Sequence, residues 1–90
     1  MTTKKPASHK SVLRVIARSP FKTYYEGESI GLSAANPVGK FDILPGHADF
    51  FSMLSPCTVT IDTAAEPISF EISSGIITVR DNSVNLFVNM

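Results

Sequence analysis

The sequence has no tryptophan, a single cysteine and only two histidines, and charged residues make up 18% of its 90 positions, against roughly 25% in ordinary soluble domains. Each scarcity removes a class of function. One thiol, Cys57, cannot close an internal disulfide, whereas a secreted domain of this size often carries two or more cysteines. A Cys/His zinc site is excluded, because His9, His47 and Cys57 are the only nitrogen or sulfur ligands and no two stand at metal-ligand spacing. Unbroken apolar runs extend over two or three residues, far below the ~20 of a membrane-spanning helix, and the N-terminus lacks the apolar stretch of a signal peptide. A soluble, cytoplasmic chain is expected. No glycine-rich phosphate loop, no G-x-S-x-G elbow and no N-x-S/T acceptor occurs. A chain this short buries roughly 60–70% of its unfolded surface, enough for one core and not for two.

What charge there is lies unevenly. Eight basic residues balance eight acids, yet residues 1–22 hold Lys4, Lys5, Lys10, Arg14, Arg18 and Lys22 with no acid, so this stretch carries +6 and the remainder −6. Residues 1–11 are polar, contain a proline and show no hydrophobic period, which predicts a flexible N-terminal tail ahead of a single domain over 12–90.

From Val12 onward the apolar residues recur with period two, the pattern of half-buried strands. Leu13, Val15 and Ala17 share one face; Ser19-Pro20 stops the strand, because proline lacks the N–H a ladder needs. Lys22–Glu26 reads as the return strand with a reversal at Gly27, followed by Glu28–Ser33 with Ile30 and Leu32 inward. Asn36-Pro37-Val38-Gly39 and Pro45-Gly46 are turn signals around a short strand holding Phe41 and Ile43. Phe50–Leu54 is apolar and reads as either a core strand or a helical turn. Cleaner alternations follow: Cys57, Val59, Ile61; then Ile68, Phe70, Ile72; then, after an interruption at Gly75, Ile77 and Val79; and last Val84, Leu86, Val88. Cys57 reads as an inert core residue. Asp81-Asn82-Ser83 suits a tight turn, since asparagine tolerates the left-handed backbone. The pattern predicts an all-β fold, a small β-sandwich of about eight to ten short, mainly antiparallel strands.

Catalytic constellations are thin. Asp42, His47 and Ser52 or Ser55 are the ingredients of a serine relay, and Asp42 with Asp49 could make a carboxylate pair, but no nucleophile elbow surrounds either serine and a small sandwich offers little cleft. These residues read better as turn and surface positions. No catalytic, cofactor-binding or metal-binding residue is expected, and no cofactor.

The segment Gly39-Lys-Phe-Asp-Ile-Leu-Pro-Gly-His-Ala48 resembles the Gly-x-Phe/Leu-Gly-Ile-Leu/Tyr-Pro-Gly-His-Ala segment of the epsilon subunit of bacterial F-type ATP synthases. Ser19-Pro20 with Tyr25-Glu26-Gly27, Leu54-x-Pro56 and Ser73-Ser-Gly-Ile-Ile-Thr-Val79 resemble further motifs of that family in the same order, so the likeness runs over about residues 12–89. Asp42 stands where the family usually has glycine, Cys57 where it has the glycine after proline, and Ser74 where it has the first glycine of a pair.

The resemblance implies the family's N-terminal β-sandwich and a non-catalytic rotor part. Such a part links the gamma subunit to the ring of c subunits and helps couple ion flow to rotary ATP synthesis, on the cytoplasmic side of the bacterial inner membrane as a peripheral component. It implies contact with the c ring through Pro37, Val38, Gly39, Lys40 and Asp42, and with gamma through Ser19, His47 and Phe50. The family's inhibitory C-terminal helical hairpin has no counterpart before Met90, so neither inhibition nor ATP binding is implied. An isolated monomer without nucleic-acid partners is expected. The competing expectation is an unrelated β-sandwich that binds another protein.

Overall fold

The computed structural model describes residues 12–89; the segment read as a tail, 1–11, and Met90 lie outside the described residues. Nine strands follow one another: β1 (Leu13–Arg18), β2 (Thr23–Ser29), β3 (Gly31–Asn36), β4 (Gly39–Ile43), β5 (Phe50–Leu54), β6 (Cys57–Asp62), β7 (Ile68–Ile72), β8 (Gly75–Arg80) and β9 (Ser83–Val88). They form a five-stranded sheet in the order β2-β1-β9-β8-β5 and a four-stranded sheet in the order β4-β3-β6-β7. Every pairing is antiparallel except that of β1 with β9, the first described strand with the last.

Period two explains the layering. Leu13, Val15 and Ala17 of β1 are wholly buried, while Arg14 between the first two and Arg18 after the last are exposed. Ile77 and Val79 of β8, and Val84, Leu86 and Val88 of β9, complete the inner face of the larger sheet. Leu32, Ala34, Ile43, Val59, Ile61 and Ile72 supply the opposing layer. At roughly 1.5–3 kcal/mol for each fully buried aliphatic side chain, this interlayer seam is the main favourable contribution to folding.

The chain changes sheet between β2 and β3. Ser29 is the one buried polar residue among those described, and its hydroxyl lies 2.6 Å from the Gly31 carbonyl and 2.7 Å from that of Asp62 while accepting the Gly31 N–H at 3.0 Å. Ile30 N–H donates to the same Asp62 carbonyl at 2.8 Å. The reversal expected at Gly27 therefore occurs at Ser29–Ile30. Gly27 is inside β2, where the Tyr25 ring folds across it and the Tyr25 hydroxyl donates to the Glu28 carbonyl; a Cβ at Gly27 would meet that hydroxyl at 3.0 Å. As a further consequence Ile30, expected inward, is 48% exposed.

Gly75 is not an interruption but the first residue of β8. Its backbone passes so close to β9 that a Cβ would meet the Phe87 carbonyl at 3.0 Å and Val88 Cγ1 at 3.1 Å. Phe50–Leu54 forms an edge strand rather than a helical turn. Cys57 is half-buried at the start of β6, with its thiol 4.0 Å from the Ala35 carbonyl, so it packs against the core without belonging to its interior.

Leu86 on the central strand β9 is 1% exposed, and Asn85 beside it faces solvent. Leu86→Ala is expected to lower unfolding free energy in urea titration by about 2–5 kcal/mol, and Asn85→Ala to change it by no more than about 0.5 kcal/mol.

Candidate functional site

The residues singled out by sequence gather at the two ends of the sandwich. Arg18 pairs with Phe87, Phe87 with Ile76 and Ile76 with Met53, so the turn after β1 lies at the end of the larger sheet where β5 finishes. The β3–β4 hairpin reaches that same end. Ser55 N–H donates to the Ala35 carbonyl at 3.0 Å, and Asn36 Nδ2 donates to Ser52 Oγ at 3.2 Å, tying β3 to β5 across the corner between the sheets.

The hairpin is built by Asn36. Its Oδ1 accepts the Val38 and Gly39 N–H groups at 2.9 and 3.1 Å, an Asx turn that holds the loop with Val38 95% exposed at its tip. Gly39 has φ 146°, and a Cβ there would meet nothing within 4 Å, so the backbone conformation and not crowding favours glycine. Lys40 is exposed just beyond. Asp42 lies two residues farther along β4, its Oδ1 accepting from Ser33 Oγ at 2.6 Å. A groove of about 430 Å³ beside them is lined by Ser33, Lys40, Asp42, Cys57, Thr58 and Thr60.

Ser19 stands at the same end. Its Oγ accepts the Phe21 and Lys22 N–H groups at 3.1 and 3.2 Å, which closes the turn around Pro20 and leaves Phe21 exposed.

His47 and Phe50 occupy the opposite end. Pro45-Gly46 turns with Gly46 at φ 87°, and His47 N–H closes the turn on the Leu44 carbonyl at 3.0 Å. His47 Nδ1 lies 2.8 Å from the Ala48 carbonyl, a contact the ring can make only as a donor, and its edge meets Phe50 at a centroid distance of 5.6 Å. Phe50 in turn packs at 5.3 Å against Phe41. A tether not foreseen from sequence holds this loop: Asn82 Oδ1 accepts the Gly46 N–H at 2.8 Å. Asp81 and Asn82 both have positive φ, 52° and 65°, as a two-residue hairpin between β8 and β9 requires.

The expected residues are thus brought together in part. Pro37 to Lys40 and Ser19 share one end, His47 and Phe50 the other, and Asp42 lies between. The ingredients of a serine relay are not assembled: His47 engages Ala48, Asp42 engages Ser33 and Ser52 engages Asn36 and the Met53 carbonyl. Asp49 Oδ1 accepts the Asp81 N–H at 3.2 Å, which places it as a turn residue. The arrangement presents shaped turns at both ends of the sandwich.

Residues 12–90 match the family of the ATP synthase delta/epsilon chain β-sandwich domain. The chain belongs to this family. It is 32% identical over 82 residues to an ATP synthase epsilon chain of Leptospira borgpetersenii, covering 91% of this chain and 63% of that one. It is 28% identical over 76 residues to an ATP synthase epsilon chain of Geobacter sulfurreducens, covering 84% and 55%. The chain therefore spans a little over half the length of these curated relatives. Among solved structures, a chain of the Euglena gracilis mitochondrial ATP synthase superposes with a TM-score of 0.81 at 14% identity, covering 89% of this chain and 52% of that one. A chain from the Tetrahymena thermophila mitochondrial ATP synthase central stalk and c ring gives 0.75 at 20% identity, covering 84% and 62%. These likenesses show that the delta/epsilon-type sandwich is the fold.

The Asn82 tether makes a graded prediction. Asn82→Gly keeps the left-handed turn and loses the bond to Gly46, at a cost of roughly 0.5–1.5 kcal/mol; Asn82→Ala adds backbone strain and costs roughly 1 kcal/mol more. Urea denaturation reads that order, and amide hydrogen exchange at Gly46 is expected to accelerate in both variants.

Proposed function

We propose that this chain is a non-catalytic central-stalk subunit of an F-type ATP synthase, joining the gamma subunit to the ring of c subunits at the cytoplasmic face of a bacterial membrane. The observation that carries the reading is the family match over residues 12–90. Support comes from the epsilon-chain relatives and from the central-stalk and c-ring assembly in which a chain of like fold was solved. That match also disfavours the alternative of an unrelated interaction module.

The physical role is mechanical. A β-sandwich whose side-chain polar atoms are all hydrogen-bonded where buried, among the described residues, behaves as a stiff block. Two attachments at separate places on such a block transmit torque without any bond being made or broken in it. In this reading the hairpin carrying Pro37, Val38, Gly39 and Lys40, with Asp42 behind it, meets the polar loops of the c ring. Ser19, His47 and Phe50 border the gamma contact. No helix among the described residues is long and apolar enough to cross a membrane, and the subunit's membrane association in this reading comes through the ring.

Single cysteines test the assignment, with wild-type Cys57 replaced by serine as background. In ATP synthase assembled with this chain, Lys40→Cys is expected to cross-link to a c subunit and His47→Cys to gamma. Complex purified without this chain, or adducts to neither partner, would overturn the reading.

A further inference from the structure

The two ends of the sandwich differ in charge. At one end the strands are joined by residues 19–22, 37–38, 55–56 and 73–74, which hold Lys22 and no acid; Arg18 closes β1 and Lys40 stands second in β4 beside them. At the other end the joining residues are Ile30, 44–49, 63–67 and 81–82, which hold Asp49, Glu66 and Asp81 and no lysine or arginine. Glu28 and Asp62 add to that acidic end, against Arg14 and Arg80. The acids next in from the basic end are Glu71, opposite Thr58 near the end of β7, Asp42, which accepts from Ser33, and Glu26, opposite Ile16 in the middle of β1. Charge is thus separated along the strands.

The basic end also carries the two most exposed large apolar side chains among the described residues, Phe21 at 92% and Val38 at 95%. Their turns hold both outward: Ser19 Oγ accepts the Phe21 N–H, and Asn36 Oδ1 accepts that of Val38. The tips occupy different corners. Phe21 joins β1 to β2, and β2 lies against β7, where Tyr24 stacks on Phe70 at 4.4 Å; Val38 joins β3 to β4, and β4 lies against β5, where Phe41 meets Phe50. Each tip has a cation beside it, Lys22 directly after Phe21 and Lys40 two residues after Val38. Aromatic rings keep two of the cations at this end, Phe87 lying 5.0 Å from the Arg18 guanidinium and Tyr24 4.7 Å from the Lys22 ammonium.

A lone apolar side chain is a poor anchor for a protein partner, whose contact needs a contiguous packed core. The sheet face on which register aligns Met53, Ile76 and Phe87 has that character; the two tips do not. A lipid surface makes the opposite demand. Its headgroups yield around a single inserted side chain, which gains by the area it buries at the acyl boundary, while lipid phosphates attract lysine and arginine. We propose that the basic end of the sandwich binds an anionic lipid surface, with Phe21 and Val38 entering the headgroup layer and Arg18, Lys22 and Lys40 meeting lipid phosphates. This goes beyond the rotor reading, in which membrane association comes through the ring, and does not depend on it. Where ring loops cover the hairpin, Phe21 at the other corner keeps the lipid contact.

The test sediments the full chain with vesicles of phosphatidylcholine alone or mixed with an equal share of phosphatidylglycerol. Binding to the anionic vesicles is expected to be roughly tenfold or more tighter than to the neutral ones, and to weaken as salt is raised. Phe21→Ser is expected to weaken it roughly tenfold, and Lys22→Glu combined with Lys40→Glu to remove the preference for anionic lipid. Leu44→Ser, at an exposed apolar position of the acidic end, is the control and is expected within about twofold of wild type; urea titration verifies each fold. Because the sequence has no tryptophan, Phe21→Trp sets a single indole at the tip. Its emission is expected to shift to the blue on adding anionic vesicles, while that of Leu44→Trp stays unchanged. If wild type does not bind anionic vesicles, the proposal is overturned. It is overturned equally if Phe21→Ser and the double lysine variant bind as wild type does and the Phe21→Trp emission stays unchanged, binding then being carried elsewhere, as by Lys4, Lys5 and Lys10. Either failure leaves the rotor reading standing, since cross-links to the c subunit and to gamma test it separately.

Discussion

The parallel pairing of β1 with β9 is the constraint on which the rest of the architecture depends. It places the first described strand between β2 and the last strand, so the five-stranded sheet cannot form until both ends of the domain have met. Parallel strands need a long connection, and here that connection is the remainder of the domain, wound into the second sheet and back. The same pairing puts Val15 beside Val84 and Ala17 beside Leu86 on the inner face, and Arg18 beside Phe87 on the outer one. Core and surface chemistry are set by one register. A shift of one residue would exchange the wholly buried Val15 for the exposed Arg14.

The corner between the sheets is the second fixed point. Burying the Ser29 hydroxyl would be costly without partners, and here two carbonyls and one N–H surround it. That cluster joins the end of β2 to the start of β3 and the end of β6. It thereby aligns the four-stranded sheet, whose β3–β4 hairpin projects from the opposite end.

Much of this was legible in the residues. The alternations Leu13-Val15-Ala17, Val59-Ile61 and Val84-Leu86-Val88 name buried faces directly, because side-chain direction in a strand alternates whatever the neighbours are. Asn36 through Gly39 and Asp81-Asn82 announce turns by their backbone preferences. What escaped depends on contacts between distant residues. Gly27 reads as a reversal until the Tyr25 ring is found lying over it, and Ile30 reads as core until Ser29 meets Asp62. Within Phe50–Leu54 the pattern separates Phe51 and Met53 from Phe50 and Leu54, yet nothing local says that Ile76 and Phe87 lie beside Met53. Pairing across three strands created the apolar cluster, so it was invisible in any one of them. The opening imbalance of charge changes meaning in the same way: Arg18 has become the border of a hydrophobic face.

The molecule emerges as a stiff block with one polar outer face, a second outer face that carries an apolar cluster among charged and polar side chains, and shaped turns at both ends. Its membership of the delta/epsilon sandwich family supports the reading in which an ATP synthase is the machine that uses such a block. The most direct measurement is a cryo-electron microscopy map of the ATP synthase assembled with this chain. In the proposed reading the sandwich is expected between gamma and the c ring, with residues 36–40 against the ring and Ser19, His47 and Phe50 bordering gamma. A map showing the sandwich elsewhere, or with residues 36–40 turned away from the ring, would contradict that reading.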